Sequence, residues 1–203
     1  MGSCTASRIT TVRLLYTFMS KAHELTKLRV TKIDAARRQL ETAITLWFHE
    51  ADPVSIHTLA CASFQLVYDI NSQVGGSPMF PDRMAATETT EARKKYLHKF
   101  LREAQNFFKH AEKDAPQTFA FITHQTELFV FEACQKYYEI AHEDLPLMKL
   151  FHFYIRLHNP NLFDGPDPQK DIFDKPGTQR LKSYGKREFF QKVLPGFSQY
   201  GAA

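Results

Sequence analysis

Apolar residues return every three or four positions from Ile33 through Ala36, Leu40 and Ala43 or Ile44 to Trp47, the period of a helix buried along one side. Thr31 with Asp34 three places on is a capping-box pattern that starts this helix, and the pattern predicts helix to about Glu50. The next stretch, "ADPVSIHTLACASFQLVYDI", opens with Asp52, an acceptor for free amides. Pro53 follows, and in a first turn its missing amide hydrogen costs nothing. Only a tight turn separates the two helices, so they are expected to pack as an antiparallel hairpin.

"SQVGGSPMFPDRMAATETT" breaks the period with Gly, Pro and hydroxyl residues and reads as a surface loop. Helix resumes at Thr90 and is expected to run to Ala111, with Tyr96, Phe100, Ala104, Phe107 and Ala111 as its core face. "KDAPQTFAFITHQ" reads as a short extended or irregular connection. Two more helices follow, "TELFVFEACQKYYEIAH" and "EDLPLMKLFHFYIRLHN", the second with Asp144 as cap and Pro146 in its first turn. Beyond Asn159, "NPNLFDGPDPQKDIFDKPGTQ" is too rich in Pro and Gly for regular structure. A last helical piece, "RLKSYGKREFFQKVL", is expected to dock back through Phe189, Phe190 and Val193. With no repeat, heptad run or alternating strand pattern, the fold class is all-α: a bundle of five to six helices with an irregular C-terminal arm. The organisation reads as an N-terminal extension (1–29), a helical bundle (30–159) and a Pro/Gly-rich arm with a short helix (160–203).

Composition narrows the class without naming an activity. At 203 residues the chain has room for one well-buried core, and 43% hydrophobic with 24% charged residues excludes wholesale disorder. Eighteen Phe and eight Tyr against one Trp point to an aromatic core. Cys4, Cys61 and Cys134 are odd in number and lack metal-site spacing, so no disulfide framework or zinc site is expected. Cys61 and Cys134 read as buried, inert thiols, and the location as cytoplasmic. Gly2 and Cys4 suggest a lipidation signal, but Ala6 stands where Ser or Thr is required. Arg13 interrupts the one early apolar run, so neither export nor a membrane span is expected, and Met19 is an alternative start.

The net charge of +4 is mild, but seven cations against four acids fall between Glu91 and Asp114. Opposite the expected aromatic face of that helix lie Lys95, Lys99, Arg102, Asn106, His110 and Lys113, with Lys109 beside them. Arg102, Asn106 and His110 recur every four residues and are expected to project from one side. Two readings stand: a solvated face of snorkelling cations, or a strip that meets phosphates, with His110 exchanging protons and Arg102 holding negative charge. Elsewhere His57 reads as a hydrogen-bonded structural histidine and His49 as a helix C-terminal cation. His142, Glu143 and Asp144 lack metal-ligand spacing, and a metal site built from His49, His57 and His110 would rest on tertiary geometry. "HFYIRLHNPNLF" sets aromatics beside Arg156 and His158, as base-stacking surfaces do, though a helix core ending at Pro160 explains it more simply. No P-loop, GxGxxG, GxSxG or EF-hand pattern occurs, and no cofactor is expected.

"KIDAARRQLETAI", "DPVSIHTLA" and "NFFKHAEKD" resemble an uncharacterised family of bacterial helical proteins over most of residues 30–160. More remotely, a helical hairpin followed by Asn106, three residues and His110 is similar to the HEPN superfamily. Its ribonucleases carry Arg, a polar residue, three more positions and His, and many pair two protomers to cut RNA without metal through the strand's own 2′-hydroxyl. The resemblance implies a homodimer whose Asn106 and His110 act on RNA. Gln105 stands where the superfamily has arginine, so either Arg102 supplies the cation from one turn earlier or the chain is a silent member that binds RNA or protein. The competing class is a helical scaffold that docks a protein partner through its aromatic-rich arm.

Overall fold

The computed structural model describes residues 27–111, 116–160 and 170–199. The chain divides between Val30 and Thr31. Of the part before that boundary, residues 27–30 are described; they are non-helical, with Leu28 and Val30 exposed. The lipidation and start-site readings at Gly2, Cys4 and Met19 lie outside the described residues.

Nine α-helices and no strand occur among the described residues, so the protein is all-α. The first two are α1 (Lys32–Phe48) and α2 (Pro53–Gln73). The Asp34 amide donates to Thr31 Oγ1 at 3.1 Å while the Thr31 amide donates to Asp34 Oδ2 at 3.2 Å, closing the capping box. Asp52 caps α2 by accepting the Ser55 amide at 2.7 Å, behind Pro53 in the first turn. These local signals specify both starts, and the two helices pack along their length as the expected hairpin. Ala36, Leu40, Ala43, Ile44, Trp47 and Phe48 are buried, as the period of α1 predicts.

The segment expected to be a loop contains a helix, α3 (Phe80–Thr87). Pro81 sits in its first turn, and Asp82 accepts the Met79 amide at 3.3 Å and the Tyr68 hydroxyl at 2.6 Å. Met79 and Phe80 are buried, so eight residues of helix are stabilised by contacts that the Gly/Pro content conceals. α4 (Glu91–Lys109) starts at Thr90, whose hydroxyl accepts the Arg93 amide at 3.3 Å. The described part of the connection after it, residues 116–124, is irregular, with Phe119 packed on Phe107 at 5.3 Å and Phe121 on Phe108 at 5.2 Å between ring centroids.

α5 (Gln125–Ala141) and α6 (Pro146–His158) complete the core. Asp144 does not cap α6: Leu145 takes that position without a side-chain bond, and Asp144 instead pairs with Lys149. The arm also departs from expectation. Its Pro/Gly-rich part holds two five-residue helices, α7 (Lys170–Asp174) and α8 (Pro176–Arg180), and a 3₁₀ turn (Leu181–Ser183) leads to α9 (Lys186–Gln199). The extra short helices α3, α7 and α8 raise the count above the five or six expected. Phe189 is fully buried, and Phe190 and Val193 pack against the core as expected.

Two aromatic clusters organise the interior. Trp47 meets Phe48 and Phe151 edge-on at 5.0 Å, while Phe189 meets Tyr154 at 4.9 Å. Phe129 meets Phe64 at 5.0 Å and Phe80 at 5.5 Å. Each such ring contributes about 1.5–3 kcal/mol by burial alone. His142, after α5, stands in the left-handed region at φ 54°, where a Cβ is strained. His142→Gly is therefore expected to stabilise the fold by about 0.5–1 kcal/mol, read as a rise of about 1–4 °C in Tm by calorimetry.

Candidate nucleic-acid interface

α4 carries two apolar rows that share Ala104, and packing selects between them. Leu101 and Ala104 are buried and Phe108 is half-buried, so the helix turns this row to α2 and α3. The row expected to be core is covered only in part: Ala104 is buried and Phe107 is half-buried against Phe119, but Tyr96 is 69% and Phe100 41% exposed, and Ala111 lies beyond the helix. Periodicity cannot distinguish rows lying about a quarter-turn apart on one helix. Tyr96 and Phe100 stack on each other with centroids 6.5 Å apart and planes 19° apart.

Beside this aromatic row run the cations. Lys95, Lys99, Arg102, Asn106 and Lys109 are exposed, and Lys113 lies outside the described residues. Lys94 pairs with Glu91 at 2.8 Å and Arg93 with Glu88 at 3.8 Å, whereas Lys95, Lys99, Arg102 and Lys109 form no ion pair among the described residues. The expectation of one helical strip through Arg102, Asn106 and His110 is corrected at its end. The helix stops at Lys109, and His110 is its C-cap, extended at φ −129° and ψ 122°. The His110 amide donates to the Asn106 carbonyl at 3.0 Å, so the residue closes the last turn of the helix from outside it. The three side chains make no hydrogen bond with one another among the described residues.

Gln105 turns inward. It lines a small cavity of about 40 Å³ together with Cys61, Tyr68 and the exposed Arg102. A cavity of this size holds a few waters. Arg102 thus spans the inner cavity and the outer strip, and Gln105 offers an amide where the ribonuclease pattern has a cation.

No family model, curated protein or solved structure matches this chain.

The remaining candidates are engaged in packing. His57 is fully buried, with Nδ1 2.9 Å from Thr126 Oγ1 and Nε2 3.3 Å from Cys61 Sγ, and Phe121 lies against its ring. Burial holds its pKa down to about 4, so it is a neutral structural histidine. Burial pushes the Cys61 thiol up to about 12 and raises that of Cys134, which removes thiolate character from both. His49 caps α1, with Nδ1 2.7 Å from the Thr45 carbonyl. Glu143 accepts the Tyr137 hydroxyl at 2.6 Å. No group of three or more His, Cys, Asp or Glu residues is placed to hold a metal among the described residues. In "HFYIRLHNPNLF", His158 stacks on Tyr154 at 4.0 Å and Arg156 lies over Phe173 at 5.0 Å, so both serve the packing of α6. Among the described residues, no helix is long and apolar enough to cross a membrane.

Proposed function

We propose that this protein is a cytoplasmic, RNA-associated helical module that works as a homodimer and binds single-stranded RNA along α4. The observation that carries this reading is the stacked, exposed pair Tyr96 and Phe100 beside exposed Lys95, Lys99 and Arg102, which form no ion pair among the described residues. Single-strand binders combine aromatic platforms for bases with a cationic track for phosphates, and α4 carries both on adjoining faces. Asn106 adds an amide for base edges or sugar hydroxyls. The homodimer and His110 as the proton-transferring group of a metal-independent cleavage rest on the HEPN resemblance; Gln105 makes binding the primary role.

Binding of a labelled oligouridylate, followed by fluorescence polarisation at several salt concentrations, tests the reading. Tyr96→Ala with Phe100→Ala is expected to weaken binding by about 1–3 kcal/mol per lost base stack and leave the salt dependence unchanged. Lys95→Ala with Lys99→Ala is expected to flatten the slope of log K against log salt by about 0.7 per lost cation. Salt-independent binding, or none, sinks the RNA reading and favours the scaffold that docks a protein partner. The same RNA incubated in EDTA beside His110→Ala separates a nuclease from a binder, since cleavage lost in the variant alone marks His110 as catalytic.

A further inference from the structure

Four helix ends come together: the end of α1 and the starts of α2, α5 and α9. Between them opens a cavity of about 230 Å³ with Trp47, Ile56, Thr126, Glu127 and Lys186 in its wall. The Lys186 ammonium lies 3.6 Å from the centroid of the Trp47 ring and 3.8 Å from Glu127 Oε1. The same carboxylate oxygen accepts the Trp47 indole N–H at 3.2 Å, and Glu127 Oε2 faces His124 Nδ1 at 3.5 Å. Glu50, which also lines the cavity, is the further acid on this side. Among the described residues Lys186 is the one amine in this wall, and its side chain is 28% exposed, enough to be reached from the void.

We infer that Lys186 is a reactive amine that forms a Schiff base with a small aldehyde entering this cavity. Glu127 takes a proton from the ammonium, and the freed amine attacks the carbonyl carbon to give a carbinolamine. The carbinolamine hydroxyl leaves as water with a returned proton, so aldehyde and Lys186 ammonium become protonated imine and water, with no oxidant or reductant consumed. The surroundings suit the product as well as the reactant. The iminium keeps the positive charge of the ammonium over the same indole face and opposite the same carboxylate, and Ile56 and Pro53 offer an apolar wall to the aldehyde's substituent. Burial also lowers the pKa of Lys186, against the opposing pull of Glu127 and Glu50. Lys192 on the same helix is the internal comparison: its ammonium donates to Glu188 at 2.6 Å, which raises its pKa, and its side chain is 53% exposed.

The test is reductive trapping of the full chain with butyraldehyde and cyanoborohydride near neutral pH, read by peptide mass spectrometry at low conversion. Lys186 is expected to be alkylated at least about tenfold faster than Lys192. Labelling that follows exposure, with Lys192 at or above Lys186, overturns the inference. Glu127→Gln keeps an oxygen for the Trp47 indole but removes the group that takes the proton, and is expected to bring Lys186 down to the rate of Lys192 even though losing that charge lowers the Lys186 pKa further. An unchanged Lys186 rate in that variant overturns the role of the carboxylate and the inference with it. Unaltered labelling of Lys192 in Glu127→Gln shows that the fold is intact.

Discussion

Lowering the pH from 7 to 4.5 is expected to remove about 5 kcal/mol of folding stability, because the buried His57 and the half-buried His152 must remain uncharged for the chain to stay folded. His57 sits among Phe108, Phe121 and Phe129, with ring centroids at 5.9, 4.8 and 5.8 Å. His152 stacks on Phe131 at 4.0 Å and places Nε2 2.9 Å from the Phe131 carbonyl. Burial dominates both and holds each pKa near about 4, against an ordinary value of 6.5. Between those values the unfolded chain binds more protons than the folded one. Stability is therefore full above pH 6.5 and falls as pH drops toward 4, by about 2.5 kcal/mol for each histidine at pH 4.5. Urea unfolding followed by circular dichroism at pH 7, 5.5 and 4.5 measures it. His57→Gln is expected to be less stable at pH 7 and to lose about half the pH dependence. A midpoint that does not move between pH 7 and 4.5 would dismiss the neutral-histidine account.

Glu132→Ala is expected to cost about 3 kcal/mol and to release α3 before the rest of the fold. Glu132 on α5 is 4% exposed; it accepts two bonds from the Arg83 guanidinium at 2.9 and 3.0 Å and the Phe80 amide at 3.0 Å. The Arg83 side chain is 54% exposed and can return to water, so the loss falls mainly on the orphaned amide and the void left behind. Glu132→Gln keeps an acceptor for Phe80 and is expected to cost about 1 kcal/mol. Thermal melting gives the size of the effect, and hydrogen exchange across residues 79–87 gives its place. A melt unchanged in Glu132→Ala would show that α3 is held by Met79 and Phe80 alone. Because α4 packs against α3, the same substitution is expected to loosen the helix that carries Tyr96 and Lys99.

What could be read from the chain was whatever neighbours in sequence decide. Thr31 with Asp34 and Asp52 with Pro53 specify helix starts within four residues, and both starts stand where those residues put them. α3 was hidden because its support is distant: Glu132 lies 49 residues from Arg83, and no local pattern announces the pair. The exposed Tyr96 and Phe100 were misassigned because α4 has two plausible apolar rows, and only the positions of α2 and α3 decide which is covered. His110 lay one residue inside the expected end of the helix, where boundaries shift by a residue or two. The Lys186, Trp47 and Glu127 cluster joins three helices and left no signature in spacing.

Arg187 also bears on the order in which the chain assembles. Its guanidinium donates two bonds to the His49 carbonyl, at 3.0 and 2.8 Å, across 138 residues of sequence. The α1–α2 hairpin has its partners close at hand and can form while the chain is still growing from the ribosome. The last turn of α1 cannot: its carbonyl stays hydrated, and Phe48 lacks the Phe189 ring stacked 6.2 Å away, until α9 has been synthesised. Closing so long a loop is slow and comes after local pairing. A nascent chain halted before Lys186 therefore presents an unfinished aromatic surface, the kind that chaperones recognise.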